Sequence, residues 1–202
     1  MNNKNADVYS EVFTNVIITH AKSAFASLGE TSFFRDLSEN DWKVVIKEFV
    51  LFNIHFCDRM LFSWYDVEFR NEVFDKIIIH IGTTLDESRE KLLDNKLNSI
   101  TMESFGEYLG ALRDDLITPD WLLREFNQRT REYGQYEIKG ADENGLAGSL
   151  FLEFGKKVAS LIGRDRDGII ISLISFSVST FIDAMSSAKK LLDIKAKNKT
   201  VD

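Results

Sequence analysis

The sequence contains very little proline and cysteine, and this scarcity limits both the fold and the chemistry. Pro119 is the only proline among 202 residues. Together with long stretches that lack glycine, this favours α-helices over a turn-rich all-β fold. Cys57 is the only cysteine, so no disulfide can form within the chain, which suits a reducing compartment. We therefore predict an all-α protein that is cytoplasmic.

An excess of positive charge is also missing. The formal net charge is −7, whereas a protein that binds nucleic acid independently of sequence needs a basic surface. The lysines near the C-terminus are expected to end a helix and to keep a tail soluble. The N-terminal sequence MNNKNADVYSE contains no apolar signal region. We expect no nucleic-acid partner.

Familiar catalytic and cofactor motifs are absent as well. The sequence contains no Walker loop, no G-x-S-x-G, no C-x-x-C and no H-E-x-x-H. Residues 165–168 contain a D-x-D-G fragment, but a calcium loop would need acidic residues where Gly163 and Ile174 stand. We therefore predict no cofactor and favour a protein that is not an enzyme.

The three histidines, His20, His55 and His80, fall one on each of the first three predicted helices. Three histidines in a helical bundle can bind zinc or iron. At about 1.5 Å per residue, His20 and His80 reach a similar level, whereas His55 lies about two turns away. No histidine follows a glutamate by three residues, as di-iron bundles require. We predict no metal site.

Apolar residues are abundant and recur with helical spacing. They make up 44% of the chain and include 16 phenylalanines, which is ample for a core. We predict one domain over 1–202, an all-α multi-helix bundle of about six to eight helices with a long C-terminal helix. Helices within 7–81 should form an up-down-up core. A helical pair over 101–134, a loop over 134–145 and C-terminal helices over 146–195 should follow.

Local signals predict where several helices begin and end. Ser38 is a good N-cap for the second helix, because acidic residues follow it in the first turn. Gly29 is expected to end the first helix, and Gly163 the one before the last. Gly82 should break or bend the third helix. Pro119, preceded by threonine and followed by aspartate, is the clearest start signal in the chain.

The segment 42–62, WKVVIKEFVLFNIHFCDRMLF, is apolar nearly all round and predicts a buried central helix. Near its end, His55 and Asp58 are three residues apart and share a face. A buried carboxylate needs a cationic partner, and an antiparallel third helix would place Arg70 level with Asp58. His55, Asp58, Arg59 and Arg70 are therefore the candidate ligand-binding residues. The alternative is a purely structural polar cluster in the core.

The same segment carries a resemblance to known sequences. NIHFCDRMLF over 53–62, followed by FRNEVFD over 69–75, resembles a pattern in uncharacterised bacterial all-helical proteins. In those proteins a helix with His-x-x-Asp-Arg is followed by a helix that contains arginine. The resemblance implies that Asp58, Arg59 and Arg70 belong together, and it implies no activity.

The last predicted helix carries a strict a/d seam, a stripe of apolar residues spaced alternately three and four apart. The seam comprises Ile171, Ile174, Val178, Phe181, Met185, Ala188 and Leu192. It would pack either inside its own bundle or against a second copy of the chain. Because it continues as far as Leu192, we predict a homodimer with Ile174, Val178, Phe181 and Met185 at the interface. The apolar run 168–182 is shorter than a membrane span, so none is predicted.

Two functions follow from these patterns. The first is a non-enzymatic helical interaction or regulatory protein that self-associates. The alternative is a protein that binds a small ligand or metal, with or without catalysis, at a polar site around His55, Asp58, Arg59 and Arg70. A deep pocket that reaches this cluster would favour the alternative. A tightly packed cluster, with an apolar patch elsewhere, would favour the first function.

Overall fold

The chain folds into helices, as seen in a computed structural model that describes residues 5–94, 119–139 and 147–198. These residues form six helices: α1 Ala6–Glu30, α2 Glu39–Trp64, α3 Val67–Asp94, α4 Pro119–Tyr133, α5 Leu150–Leu161 and α6 Asp167–Asn198. Within the described residues there is no strand, only an isolated bridge between Glu137 and Ser149. The predicted all-α class and long C-terminal helix are confirmed. The first helix of the pair predicted over 101–134 and the second half of the loop predicted over 134–145, residues 140–145, lie outside the described residues.

The first three helices run up, down and up, as predicted. Phe13, near the start of α1, lies beside Trp64 at the end of α2, with ring centroids 6.4 Å apart. These two helices are therefore antiparallel. Tyr9 lies 5.2 Å from Phe69, near the start of α3, so α1 and α3 begin at the same end of the bundle. This arrangement brings the end of α2 close to the beginning of α3.

Two predicted helix ends are confirmed in detail. The Ser38 side chain accepts a hydrogen bond from the backbone of Asp41, whose carboxylate accepts one from the Ser38 backbone, which completes a capping box. Gly163 follows α5 with a φ of 65°, a conformation that costs glycine little. There the N–H of Arg164 donates to the carbonyl of Ala159 at 2.9 Å, as in a Schellman C-cap.

Gly29 does not end α1 and Gly82 does not break α3, whereas the proline signal holds. Gly29 lies inside α1, which ends at Glu30. The C-cap is Thr31, whose N–H and hydroxyl both donate to the Leu28 carbonyl at 3.0 and 2.8 Å. Gly82 lies inside α3, which continues without a break. A helical glycine costs only about 1 kcal/mol, less than the burial of the apolar residues beside it contributes. Pro119 begins α4, as predicted.

The helix α2 forms the centre of the bundle, as its composition predicts. It contacts each of the other five helices. Its rings pack closely against those of α5: Phe52 lies 4.2 Å from Phe154, and Phe49 lies 4.9 Å from the same ring. Because α2 is surrounded by buried side chains, most of its polar groups are shielded from water. They therefore need hydrogen-bond or ion-pair partners within the protein.

Three of the four residues predicted at a dimer interface belong instead to the core. Ile174, Phe181 and Met185 are buried within this chain. Phe181 packs against rings of α1 and α2, with centroids 4.7 and 5.6 Å away. The seam is therefore covered by helices of its own chain at these positions and at Ala188 and Leu192, whereas Ile171 at its start is exposed. The side chain of Val178 lies outside those that the structure describes.

The length and composition of α6 would also suit a membrane helix. Within Gly168–Ala196, the most apolar 18-residue stretch has a mean hydropathy of 1.8, and 43% of that stretch is buried inside the protein. Because the core helix of a soluble protein has the same properties, this finding does not distinguish the two. The absence of a membrane span stays a prediction.

Candidate functional site

Asp58 and Arg70 form an ion pair between the end of α2 and the start of α3, as the sequence predicts. The Asp58 side chain is buried, whereas the Arg70 side chain keeps 23% of its surface exposed. Burial raises the pKa of the Asp58 carboxyl above its ordinary value, although the charge of Arg70 opposes that shift. Arg70 also donates to Asn71 Oδ1 at 2.6 Å. Both charges therefore have a partner.

A cleft opens beside this pair and contains a third charge. It has a volume of about 550 Å³ and is lined by the side chains of Asp58, Arg59 and Arg70 together with Ser63. The rest of its described lining is apolar: Phe56, Met60, Phe62, Ile138 and Ile182. Pockets of roughly 300–1,000 Å³ accommodate small ligands. Three of the four candidate residues therefore meet at one cleft, which we call the charged cleft.

Arg59 differs from its two charged neighbours in having a neutral partner. Its Nη1 donates to the backbone carbonyl of Tyr136 at 2.6 Å. Within the part of the chain that the structure describes, no carboxylate lies within ion-pair distance of Arg59. Since a guanidinium has five N–H donors, most of its hydrogen-bonding capacity is not used by that carbonyl.

His55 does not line the charged cleft, contrary to its grouping with Asp58 in the sequence. It is buried and faces α4, where its Nδ1 lies 3.4 Å from Thr130 Oγ1. The ring of Tyr133 is 5.8 Å away. Burial lowers the pKa of His55 to about 4, and the positive charge of Arg59 adds to this effect. His55 is therefore neutral at pH 7 and belongs to the α2–α4 packing.

The structure contains a second buried ion pair that sequence reasoning missed. Glu48 of α2 accepts two hydrogen bonds from Arg129 of α4, with 2.9 Å between Arg129 Nε and Glu48 Oε2. Both side chains are almost fully buried. Glu125 and Glu132 lie 3.6 and 3.7 Å from the same guanidinium. Burial alone would lower the pKa of Arg129, but the bonds and charge of Glu48 raise it.

A signal for this second pair was available. Glu48 interrupts the same apolar helix as Asp58, and a carboxylate in such a helix requires a cation. The sequence does not identify which cation, because Arg129 lies 81 residues away. The Glu48–Arg129 pair is closed by packing, whereas the pair of Asp58 borders a cleft.

A second cleft, which we call the neutral cleft, lies between α1 and α6. Its volume is about 500 Å³, and its described lining includes Asn15, Thr19, His20 and Thr180 but no lysine, arginine, aspartate or glutamate. His20 Nδ1 lies 3.1 Å from Asn53 Nδ2. Because the amide nitrogen can only donate, His20 accepts through Nδ1. The two clefts have similar volumes and differ in charge.

Metal ligands are not grouped in this part of the structure. Among residues 5–94, 119–139 and 147–198, no three histidine, cysteine, aspartate or glutamate side chains are placed to hold a metal ion. Among its described lining residues, the charged cleft combines one carboxylate with two guanidiniums and apolar walls, so its positive charges outnumber its negative charge.

The fold and the cleft together define a class: an α-helical bundle with an amphipathic, charged cleft at one end of its central helix. Comparison with known proteins adds no narrower assignment, since no family model, no curated protein and no solved structure matches the chain. The resemblance of residues 53–75 to bacterial helical proteins therefore stays a prediction.

Proposed function

We propose that the protein binds a small organic molecule in the charged cleft and acts without catalysis. The observation that carries this proposal is the convergence of Asp58, Arg59 and Arg70 on one cleft of about 550 Å³. A pocket that reaches this cluster is the feature that favours a ligand-binding protein over a pure interaction protein. The volume lies within the range of small-molecule sites.

The charges themselves support binding rather than a purely structural role. A structural ion pair is stable when packing encloses it and hydrogen bonds satisfy it, and Glu48–Arg129 meets both conditions. Asp58–Arg70 borders a cleft instead, and the neighbouring Arg59 has only a neutral carbonyl as partner among the described residues. A partly buried cation that is not paired with a carboxylate lowers the stability of the fold, but its charge is available to bind a ligand.

The test is to detect a ligand without assuming its identity. Native mass spectrometry of the protein, purified without denaturation, should show a bound organic mass that is released on unfolding. A thermal-shift screen of small organic acids, alcohols and amines should also raise the melting temperature, because a ligand that binds only the folded state stabilises it.

Two matched variants assign any binding to a cleft. Ser63→Trp places a large ring at an exposed position of the charged cleft, and Asn15→Trp does the same at the neutral cleft. We expect Ser63→Trp to remove the bound mass and the thermal shifts while Asn15→Trp retains both. Loss of binding in Asn15→Trp alone, or no bound mass and no thermal shift in the wild type, would contradict the proposal.

Self-association is a second proposed function, supported by apolar side chains on the outer face of α6. Leu191 and Ile194 are three residues apart, so they share a face, and 62% and 56% of their surfaces are exposed. This face replaces the buried a/d seam as the proposed contact of a homodimer. Light scattering across a dilution series should give a dimer mass that Leu191→Glu converts to a folded monomer. A monomer mass at all concentrations would exclude the dimer.

A further inference from the structure

We infer that the ligand of the charged cleft is an amphipathic monoanion, with a carboxylate that pairs with Arg59 and a hydrocarbon body that covers the apolar walls. This inference rests on the proposed small-molecule function and specifies the class of ligand. It is supported by the charge balance of the cleft, the hydrogen-bonding capacity of Arg59 and the apolar lining.

The charge balance of the described cleft lining favours an anion. Its lining contains one carboxylate and two guanidiniums, and the carboxylate of Asp58 is already paired with Arg70. One positive charge, that of Arg59, remains without a carboxylate among the described residues. Because Arg59 is partly buried, water hydrates its charge incompletely, so a ligand anion would be stabilised there.

The geometry of Arg59 suits a carboxylate. The bond from its Nη1 to the Tyr136 carbonyl, 2.6 Å long, holds the guanidinium in position from one side. The remaining N–H groups form a planar fork that can donate two parallel hydrogen bonds to a carboxylate. Since the position of the fork is already fixed, less side-chain freedom is lost on binding.

The negative charge of Asp58 indicates a single charge on the ligand. Asp58 lines the same cleft as Arg59, so a second negative charge on the ligand would be repelled by it and would find no further cation in the described lining. A monocarboxylate neutralises Arg59 completely, whereas a phosphate monoester would leave about one charge in excess at pH 7.

The walls of the cleft indicate the rest of the ligand. Five of its nine lining residues are apolar. Phe62 has 66% of its surface exposed although it is large and apolar, and a hydrocarbon chain or ring in the cleft would remove part of this surface from water. A short polar acid such as acetate would gain only the ion pair. The combination of one cation and apolar walls therefore selects an amphipathic acid.

The experiment compares ligands that share one hydrocarbon chain and differ in the head group. Decanoate, decan-1-ol, decylammonium and decyl phosphate are titrated into the full chain by calorimetry at pH 7, each below its aggregation concentration. We expect decanoate to bind about tenfold more tightly than decan-1-ol, and decyl phosphate and decylammonium to bind less tightly than decanoate. Added salt should weaken decanoate binding and leave the alcohol unchanged.

Variants locate the effect at Arg59. Arg59→Gln should lower decanoate affinity by about tenfold, to that of the alcohol, and should leave decan-1-ol binding unchanged. Circular dichroism checks that the variant is folded, and the head-group series on the wild-type protein keeps the test valid if it is not. Ser63→Trp should abolish binding of both ligands, whereas Asn15→Trp should retain it.

Each contrary result has a defined meaning. Equal binding of decanoate and decan-1-ol, abolished by Ser63→Trp, would overturn the anion inference and leave the small-molecule function standing. Tighter binding of decyl phosphate than of decanoate would overturn the single charge. Failure of all four probes would overturn the amphipathic class, while native mass spectrometry would still decide the proposed function independently. Decanoate binding that survives Ser63→Trp but not Asn15→Trp would overturn both.

Discussion

The two buried acids of α2, Glu48 and Asp58, occupy one apolar helix but have opposite surroundings. Glu48 pairs with Arg129 through two hydrogen bonds, and both side chains are nearly inaccessible to solvent. Asp58 pairs with Arg70 at the border of a cleft, and 23% of the Arg70 side chain remains exposed. The first pair is closed by packing, and the second is open.

The difference indicates which charges serve the fold and which are available for a ligand. In the closed region, Arg129 pairs with Glu48, and the neighbouring Glu125 and Glu132 also pair with Lys47 and Lys157, so each of these charges has an opposite partner within the protein. In the open region, Arg59 has only a backbone carbonyl as partner among the described residues. Variants in the closed region should therefore change stability, and variants in the open region should change binding.

Breaking the closed pair should have the largest effect on stability. Arg129→Met leaves Glu48 as a buried carboxylate without its two hydrogen bonds. We expect a loss of about 3–5 kcal/mol in the free energy of unfolding, because one partner of a buried ion pair is stranded. Urea denaturation at pH 7 measures this loss.

The matched control replaces both charges of the closed pair. In Glu48→Leu combined with Arg129→Met, no buried charge is stranded, so stability should return to within about 1–2 kcal/mol of the wild type. An unchanged urea midpoint for Arg129→Met alone would show that Glu48 is not stranded when Arg129 is removed. The Glu48–Arg129 pair would then not differ from Asp58–Arg70 in its importance for stability.

A second effect concerns pH, because His55 lies between the two acids along α2 and faces the closed region. Its pKa is about 4 in the folded protein, against 6.5 for an ordinary histidine. As pH falls below about 6.5, the unfolded chain takes up a proton at this histidine, whereas the folded protein does so only near pH 4. The free energy of unfolding therefore decreases as pH falls from about 6.5 to about 4. The loss between pH 7.5 and 5 should be about 2 kcal/mol.

The control for this effect is His55→Phe, which removes the titrating group and retains a ring of similar shape. The free energy of unfolding of the wild type minus that of the variant should decrease as pH falls from 7.5 to 5. Parallel pH profiles of the two proteins would show that His55 is accessible to protons in the folded state, and would place it in the open region.

Breaking the Asp58–Arg70 ion pair of the charged cleft should lower the free energy of unfolding less than breaking Glu48–Arg129. Asp58→Asn removes the charge that faces Arg70, but Arg70 is partly exposed and can be hydrated from the cleft. We expect a loss of about 1–2 kcal/mol, again by urea denaturation at pH 7. A loss as large as that of Arg129→Met would mean that the two pairs are equally closed.

Much of this fold was predictable from local sequence signals. The apolar composition of α2, the Ser38 cap and Pro119 each act within one helix, so the sequence contains all the information they need. Gly29 does not end α1 and Gly82 does not break α3, because the helical cost of glycine, about 1 kcal/mol, is smaller than the effect of packing around it. That packing is a tertiary property, which a local signal does not contain.

The site was predictable only where chain connectivity limits the options. Asp58 and Arg70 lie on helices joined by a short turn, so their levels follow from residue counting. Arg129 lies on a helix that no short connection ties to α2, and the sequence did not identify it. His55 and Asp58 are three residues apart, which separates them by about 60° around the helix axis. That angle directs His55 to α4 and Asp58 to α3.

The smallest effect on stability should come from Arg59→Gln, and it gives the sharpest form of the comparison. The substitution removes one hydrogen bond to the carbonyl of Tyr136 at the edge of the cleft, and no ion pair among the described residues is lost. We expect the free energy of unfolding to fall by about 0.5–1 kcal/mol, less than for Asp58→Asn.

Comparing the stability and ligand binding of Arg59→Gln with those of Arg129→Met separates two outcomes. If the closed-pair variant destabilises the protein and retains ligand binding, while Arg59→Gln is nearly as stable as the wild type and loses selectivity for the anion, the two regions have distinct roles. If Arg59→Gln lowers the free energy of unfolding as much as Arg129→Met does, then Arg59 supports the fold, and its charge is not available to a ligand.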